Sequence, residues 1–322
     1  MAISRTLLTL ICAGVLFGCD APTSTPQDQS SNETDQNPLE LKENSVRYEF
    51  YRNAAAELTY NHVVFLLDPM LSNKGALPSF ANIAPNPLVD LPKPKDEIVA
   101  GIDAVIVGHM HRDHFDEAAA MMLPKEIPIF TPDNEAPVIP TDPKNPVQTF
   151  KEQLARFGFT NVTTIEDGER TQATFAGVTL KQEFAQHGRG ILPKFLGGVN
   201  GIIFEAADAP TIYWTGDSIL DAEGRVEEIL TRYQPDIVIA HTGGAVIDTL
   251  SPDPLMMDTG QAIRFFEAAR AANPDVRIIA VHMNALDHCF TTREELREAL
   301  DMRNDGLGTI VDIPREGDVL RF

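Results

Sequence analysis

GHMHRDHFD, residues Gly108 to Asp116, decides how the rest of the chain is read. His109, His111, Asp113 and His114 fall within six positions, in a chain that holds eight histidines in all. DAVIVGH, which leads into the cluster, is a short apolar run of buried-strand type, and FDEAAAMML beyond it begins a helix. On a continuing strand His109 and His111 share one face, because side chains alternate with a period of two. Where the chain turns into the helix, Asp113 and His114 swing toward the same point from another direction. A strand-to-helix junction can therefore present four ligands around two adjacent metal positions. Imidazole and carboxylate suit zinc, manganese or iron better than magnesium or calcium. The plainer alternative is a polar turn whose histidines meet solvent or cap a helix. H-x-H-x-D-H spacing directly behind an apolar strand favours metal.

Working outward, three more metal-type residues stand at the ends of later apolar segments: His187 in EFAQH, Asp217 in YWTGD and His282 in IIAVH. VRYEFYRNAAAEL and YNHVVFLLDP read as two strands around a turn at Thr59–Asn61. This places His62 inside a strand, where it is structural. A proline-rich stretch at residues 70–98 has no periodicity, and a loop of that length inside a compact domain is usually functional. PIFTP is a short strand, and VQTFKEQLARFG is an amphipathic helix closed by Gly158. ERTQATFAGVTLKQEFAQH reads as a hairpin turning near Ala176-Gly177, and VNGIIFEAADAPTIYWTGDS as another turning around Asp208–Pro210. Helices at DAEGRVEEILTRYQ, MDTGQAIRFFEAARAANP and TTREELREALDMRN alternate with the strands DIVIAHTGG and RIIAVHMN. Asp258 is placed to N-cap the second of these helices, and Thr292 with Glu295 to form a capping box on the third. Hairpins dominate the first half, while the second mixes strands with crossover helices. That pattern predicts an α/β (α+β) domain with helices packed outside sheets, and no internal repeat is evident.

The ordered set of H-x-H-x-D-H, His187, Asp217 and His282 resembles the metallo-β-lactamase superfamily from about Val46 to the chain end. The resemblance implies an αββα sandwich with a dinuclear site at one edge. It implies His109, His111 and His187 as ligands of a first metal, and Asp113, His114 and His282 as ligands of a second. Asp217 is then the bridging carboxylate, the cofactors are two divalent ions, with zinc expected first, and Asp68 supports the histidine loop by hydrogen bonding. LLDPML, the TGD element, HTGGA and AVHMNALDHC followed by TTREEL resemble the ascorbate-6-phosphate lactonase-like branch. That branch lies near the phospholipase D that hydrolyses N-acylphosphatidylethanolamine. Ser218 stands where threonine is commoner in the family, and it keeps the hydroxyl.

The chemistry implied is attack by a metal-bound hydroxide, oriented by Asp113, on an ester or lactone bond. A phosphodiesterase of phospholipase D type, acting on a lipid or envelope substrate, is the second reading. A binding or assembly lipoprotein that holds metal without chemistry is a third, from a different class. His241, after DIVIA, is a candidate catalytic group, placed to touch substrate or to support the ligands. His288, in NALDHC, is a candidate for supporting the site or touching substrate. Trp214 reads as core and Cys289 as a small buried hydrophobe. Specificity is expected in the loop at residues 70–98 and around Phe195–Asn200.

The first residues read differently from the rest. MAISRTLLTLICAGVLFGCD has one early positive charge, Arg5, and an apolar run from Leu7 to Phe17 that is too short for a spanning helix. Leu16-Phe17-Gly18-Cys19 resembles a bacterial lipoprotein signal in which the cysteine carries lipid, so residues 1–19 read as a lipoprotein signal peptide. An ordinary cleaved signal is the alternative. Residues 20–45 are rich in Ser, Thr, Pro, Gln, Asn and Asp and read as a flexible polar linker to a hydrolase domain at 46–322. The expected location is the bacterial cell envelope, lipid-anchored on the periplasmic side of the inner membrane or on the outer membrane. With Cys12 lost and Cys19 acylated, Cys289 has no partner for an internal disulfide. A net charge of −21 over 322 residues disfavours nucleic acid and anionic lipid as surface-bound partners, leaving a small-molecule or lipid substrate and the N-terminal anchor.

Overall fold

A computed structural model describes residues 46–132, 149–165, 172–247 and 252–322. The expected signal peptide, the lipidation site Cys19 and the linker at 20–45 lie outside the described residues. No helix among those described is long and apolar enough to cross a membrane.

Six strands open the first sheet: β1 (Arg47–Arg52), β2 (Ala55–Tyr60), β3 (Val63–Leu67), β4 (Ala104–Ile106), β5 (Ile129–Pro132) and β6 (Val162–Ile165). Seven more form the second: β7 (Gln172–Phe175), β8 (Val178–Phe184), β9 (Asn200–Glu205), β10 (Ile212–Trp214), β11 (Ile237–His241), β12 (Arg277–Val281) and β13 (Val311–Asp312). A last strand, β14 (Val319–Arg321), returns to pair with β1. The sheet orders are β14-β1-β2-β3-β4-β5-β6 and β13-β12-β11-β10-β9-β8-β7. In each sheet four strands are antiparallel and the remaining arm is parallel.

The early strands differ from the sequence expectation. The first apolar run is broken at Asn53, whose backbone is left-handed (φ 58°), so it yields β1 and β2 rather than one strand. The next turn falls at Asn61-His62, both left-handed, and His62 is an exposed turn residue rather than part of a strand. Asparagine tolerates this region better than most residues, which is why the breaks fall there. Nor is the first half mainly hairpins, since β3 through β6 run parallel. The two later hairpins turn at Ala176-Gly177 and around Asp208–Pro210, as the pattern predicts.

Period-two alternation explains the layering. In β11, Ile237 and Ile239 face the first sheet, where they pack in one cluster with Phe65, Ile106 and Trp214. Val238 and Ala240 face the other way, onto three helices. These helices are α5 (Arg225–Tyr233), α6 (Thr259–Ala272) and α7 (Arg293–Asp301). On the far side, Leu66, Val105 and Ile129 pack against residues of α1 (Lys95–Val99), α2 (Glu117–Met122) and α3 (Phe150–Arg156). A short α4 (Leu192–Leu196) lies between β8 and β9. The result is helices, sheet, sheet, helices, the αββα sandwich. Asp258 caps α6 by accepting from the Gln261 amide at 2.8 Å. Thr292 caps α7, but the Glu295 carboxylate takes the Thr259 hydroxyl at 2.7 Å instead of closing the box.

Two buried charges hold the proline-rich loop. The Arg52 guanidinium donates to the carbonyls of Met70 (2.7 Å), Ser72 (2.9 Å) and Val89 (3.0 Å). The Asp287 carboxylate accepts from the Ser79 hydroxyl, the Asn86 amide and the backbone amides of Phe80, Ala81, Ile83 and Ala84. Asp287 stays below the usual carboxylate range because these donors outweigh its burial.

Behind β11 the chain passes so close to β12 that a Cβ on Gly243 would lie 2.1 Å from the His282 carbonyl oxygen. Gly243→Ala should therefore lower stability by about 3 kcal/mol in chemical denaturation, the upper range for overpacking. A variant as stable as the parent would show that the β11–β12 spacing is adjustable.

Candidate metal centre

The strand ends bring seven sequence-predicted residues to one edge. β4 runs into His109, β10 into Thr215-Gly216-Asp217 and β12 into His282, and β8 is followed closely by His187. β10, β11 and β12 are parallel, so their carboxyl ends share that edge, where α/β sheets commonly hold ligands. Gly108 starts the histidine turn by donating its amide to Asp68 Oδ1 at 2.8 Å, and Asp116 ends it by capping α2. His282 has a left-handed backbone (φ 71°), a conformation costing about 1–3 kcal/mol in a non-glycine residue.

Two donor groups result. In the first, His111 Nδ1 lies 3.0 Å from His109 Nε2 and 3.4 Å from His187 Nε2. In the second, His114 Nε2 lies 3.1 Å from His282 Nε2 and 3.1 Å from Asp217 Oδ2. Asp113 Oδ2 is 3.3 Å from both of those imidazole nitrogens. Asp217 Oδ2 also reaches to 3.9 Å from His109 Nε2, and so stands between the groups.

The outer nitrogens show which form each ring takes. His111 Nε2 meets the Leu196 carbonyl at 2.8 Å, His187 Nδ1 meets the Leu255 carbonyl at 2.8 Å, and His114 Nδ1 meets Asp68 Oδ2 at 2.5 Å. Carbonyls and carboxylates only accept, so each of these nitrogens carries its proton outward. The inner nitrogens of His111 and His187 then point lone pairs at each other, which cannot hydrogen-bond. A cation resolves that arrangement, and tetrahedral ligands at about 2.0–2.1 Å from a metal lie about 3.3 Å apart. The donor set fits divalent metal.

Electrostatics agree. Burial and neighbouring imidazoles pull His109 well below the ordinary histidine range and His187 down to about 4, keeping both as neutral imidazoles near neutrality. Burial opposes charge on Asp113 and Asp217 too, but His114 and His282 hold both well below the usual carboxylate range. Burial likewise opposes a proton on His114, yet Asp217, Asp113 and Asp68 raise it well above the ordinary value.

His241 has both ring nitrogens engaged. Its Nε2 accepts from the Trp214 indole at 2.8 Å and its Nδ1 meets Asp217 Oδ1 at 2.8 Å. It lies close to His114, Asp217 and His282, near enough to count among the potential ligands of that group, but with both nitrogens engaged its arrangement is that of a support for Asp217 rather than a free acid or base. His288 is buried, joins neither group, and sits edge-on to Phe80 with ring centres 5.1 Å apart. Cys289 Sγ lies 3.6 Å from His282 Nδ1, and burial pushes its thiol up, away from nucleophilic form. Ser218 accepts from the Gln186 amide at 2.9 Å, tying the His187 segment to the TGD turn.

Sequence reasoning missed Asn53, which donates to the Asp113 carbonyl at 2.9 Å and lies 3.2 Å from His282 Nε2. It also missed the polar role of Trp214. An asparagine in a turn and a tryptophan ending an apolar strand carry no local sign of such contacts.

Fold and site together define a metal-dependent hydrolase of the metallo-β-lactamase type. The chain belongs to the beta-lactamase superfamily: residues 64–283 match the family described as "Beta-lactamase superfamily domain". It is 33% identical over 281 residues to the UPF0173 protein YddR of Bacillus subtilis, covering 84% of this chain and 98% of that protein. Among solved structures it is similar to a possible metal-dependent hydrolase from Veillonella parvula, with TM-score 0.72, 31% identity and coverage of 85% and 98% of the two chains. It is also similar to an isothiocyanate hydrolase from Delia radicum gut bacteria, with TM-score 0.71, 32% identity and coverage of 86% and 99%.

Asp68 touches both Gly108 and His114, so Asp68→Asn should weaken metal binding about 10- to 100-fold, measured by chelator competition. Unchanged affinity would remove Asp68 from the support of the site.

Proposed function

We propose that this chain is a membrane-tethered, two-metal hydrolase that delivers water to an electrophilic carbon, an ester or lactone carbonyl or the central carbon of an isothiocyanate. The observation that carries this reading is the pair of convergent donor groups sharing Asp217. His109, His111 and His187 would hold one divalent ion, and Asp113, His114 and His282 the other. Five imidazoles with two carboxylates favour zinc, with manganese and iron also compatible. When bound, such ions make a nucleophile from water near neutral pH and polarise the bond under attack.

The chain's own groups supply the rest. Asp113, held in its carboxylate form by His114 and His282, would bind the second ion and fix the direction from which water approaches. Asp217 keeps the two groups in register through Oδ2. Burial of these side chains excludes bulk water, which strengthens every charge interaction at the reacting centre. The ester or lactone reading follows the lactonase-like motifs, and the isothiocyanate reading is supported by the similarity to the gut-bacterial enzyme. Both place the attack on carbon.

Purified protein should bind two ions per chain and turn over lactones, esters or isothiocyanates in a substrate panel. Asp113→Ala or His109→Ala should lower the rate by about 10²–10⁴-fold. Near-normal turnover by either pure variant, or turnover confined to phosphodiesters, would overturn the reading. Absence of turnover, with or without bound metal, would favour the non-catalytic binding or assembly lipoprotein.

The tether rests on Arg5, the apolar run Leu7–Phe17 and Leu16–Cys19. In bacterial cells the full chain should fractionate with membranes, and Cys19→Ser should release it or leave it unprocessed. A Cys19→Ser chain processed and retained like the parent would rule out lipid attachment.

A further inference from the structure

Trp214 is buried among the apolar residues between the sheets, and core packing accounts for its ring. Packing does not account for where its one polar atom points. An indole N–H can donate but has no lone pair to accept with. His241 Nε2, 2.8 Å away, must therefore present a lone pair to it. A neutral imidazole with a bare Nε2 carries its proton on Nδ1, and that nitrogen faces Asp217 Oδ1 at 2.8 Å. The proton direction runs one way along the series, from Trp214 to His241 to Asp217.

We propose that Trp214 is a positioning residue for the metal centre: by fixing the tautomer of His241 it commits Asp217 Oδ1 and leaves Oδ2 to serve both donor groups. The proposal rests on the two-metal reading above. Its geometric content is the division of labour within one carboxylate. Oδ1 is held by His241 at 2.8 Å, with His282 Nε2 further off at 3.5 Å, while Oδ2 faces His114 Nε2 at 3.1 Å and His109 Nε2 at 3.9 Å. In the opposite tautomer Nδ1 would present a lone pair to a carboxylate oxygen, and Asp217 would turn away to escape the repulsion. The His241 backbone is itself fixed, its amide donating to Thr215 Oγ1 at 3.1 Å, so the ring has little freedom to answer by moving. The same indole also lies against the histidine turn, since a Cβ on Gly108 would come within 3.2 Å of Trp214 Cη2. One side chain thus touches the start of the H-x-H-x-D-H motif and sets the carboxylate that joins its two halves.

Trp214→Phe keeps an aromatic ring in the core and removes the N–H. Side-chain proton–nitrogen NMR correlations on the metal-free wild type should show His241 as the Nδ1–H tautomer, and the variant should lose that signal or show both forms. In chelator competition with zinc, the folded variant should bind at least one of its two ions about 10- to 100-fold more weakly, with kcat falling alongside. A wild-type His241 protonated on Nε2 overturns the proposal, whether or not the variant folds. A cooperatively melting variant with unchanged affinity at both sites also overturns it, leaving Trp214 as packing alone. Failure of the wild type to take up zinc sinks the two-metal reading, and the proposal with it. Because the tautomer is assigned without metal, that failure is distinguishable from failure of the Trp214 role.

Discussion

Lone pairs repel, and this fold brings several of them face to face at the edge of its sandwich. His111 and His187 cannot turn their inner nitrogens away, because their outer ones are held by the carbonyls of Leu196 and Leu255. The same holds for His114, tied to Asp68. Each of these outer bonds looks like an ordinary satisfied polar contact. Together they preorganise a cluster whose components would separate in water. The rest of the architecture follows from that demand: the parallel strand ends, the glycine that lets β11 approach β12, and the left-handed backbone at His282.

Much of this was readable in the sequence, and the reason is local. H-x-H-x-D-H compresses four donors into one turn, so strand periodicity and a following helix suffice to aim them. His187, Asp217 and His282 were legible because each ends an apolar segment, and strands of a mixed sheet deliver such residues to a common edge. What escaped depends on distance along the chain. Asn53 meets His282 across 229 positions, and Asp287 gathers donors from a loop some 200 positions earlier. No pattern of spacing encodes contacts of that kind. His241 was found by its place after an apolar strand, but its role stayed open between substrate contact and support, because a strand-end histidine looks the same whether it faces substrate or a neighbouring carboxylate. The broken first strand was missed because NAAAEL carries no glycine or proline to mark the turn at Asn53.

The long loop after β3 belongs to the same account. Arg52 and Asp287 are buried charges, and each is satisfied by groups of this loop. Removing either partner would leave a charge stranded away from water, so the loop is bound to the scaffold at defined points. Between those points Asn73, Lys74, Ala76, Asn82 and Ile83 are exposed. Differences in substrate choice among related chains can accumulate there without disturbing the donors.

The two donor groups also span the molecule in another sense. His109, His111, Asp113 and His114 follow a strand of one sheet, whereas His187, Asp217 and His282 follow strands of the other. His114 and His282 are 168 positions apart in sequence, and His111 and His187 are 76 apart. Bound ions would act as cross-links that close long loops in the unfolded ensemble, an effect on the order of 4 kcal/mol for a disulfide spanning a comparable length. A chain whose described part contains one free thiol and no disulfide would thereby obtain in its active centre the covalent-like brace that cysteines supply elsewhere.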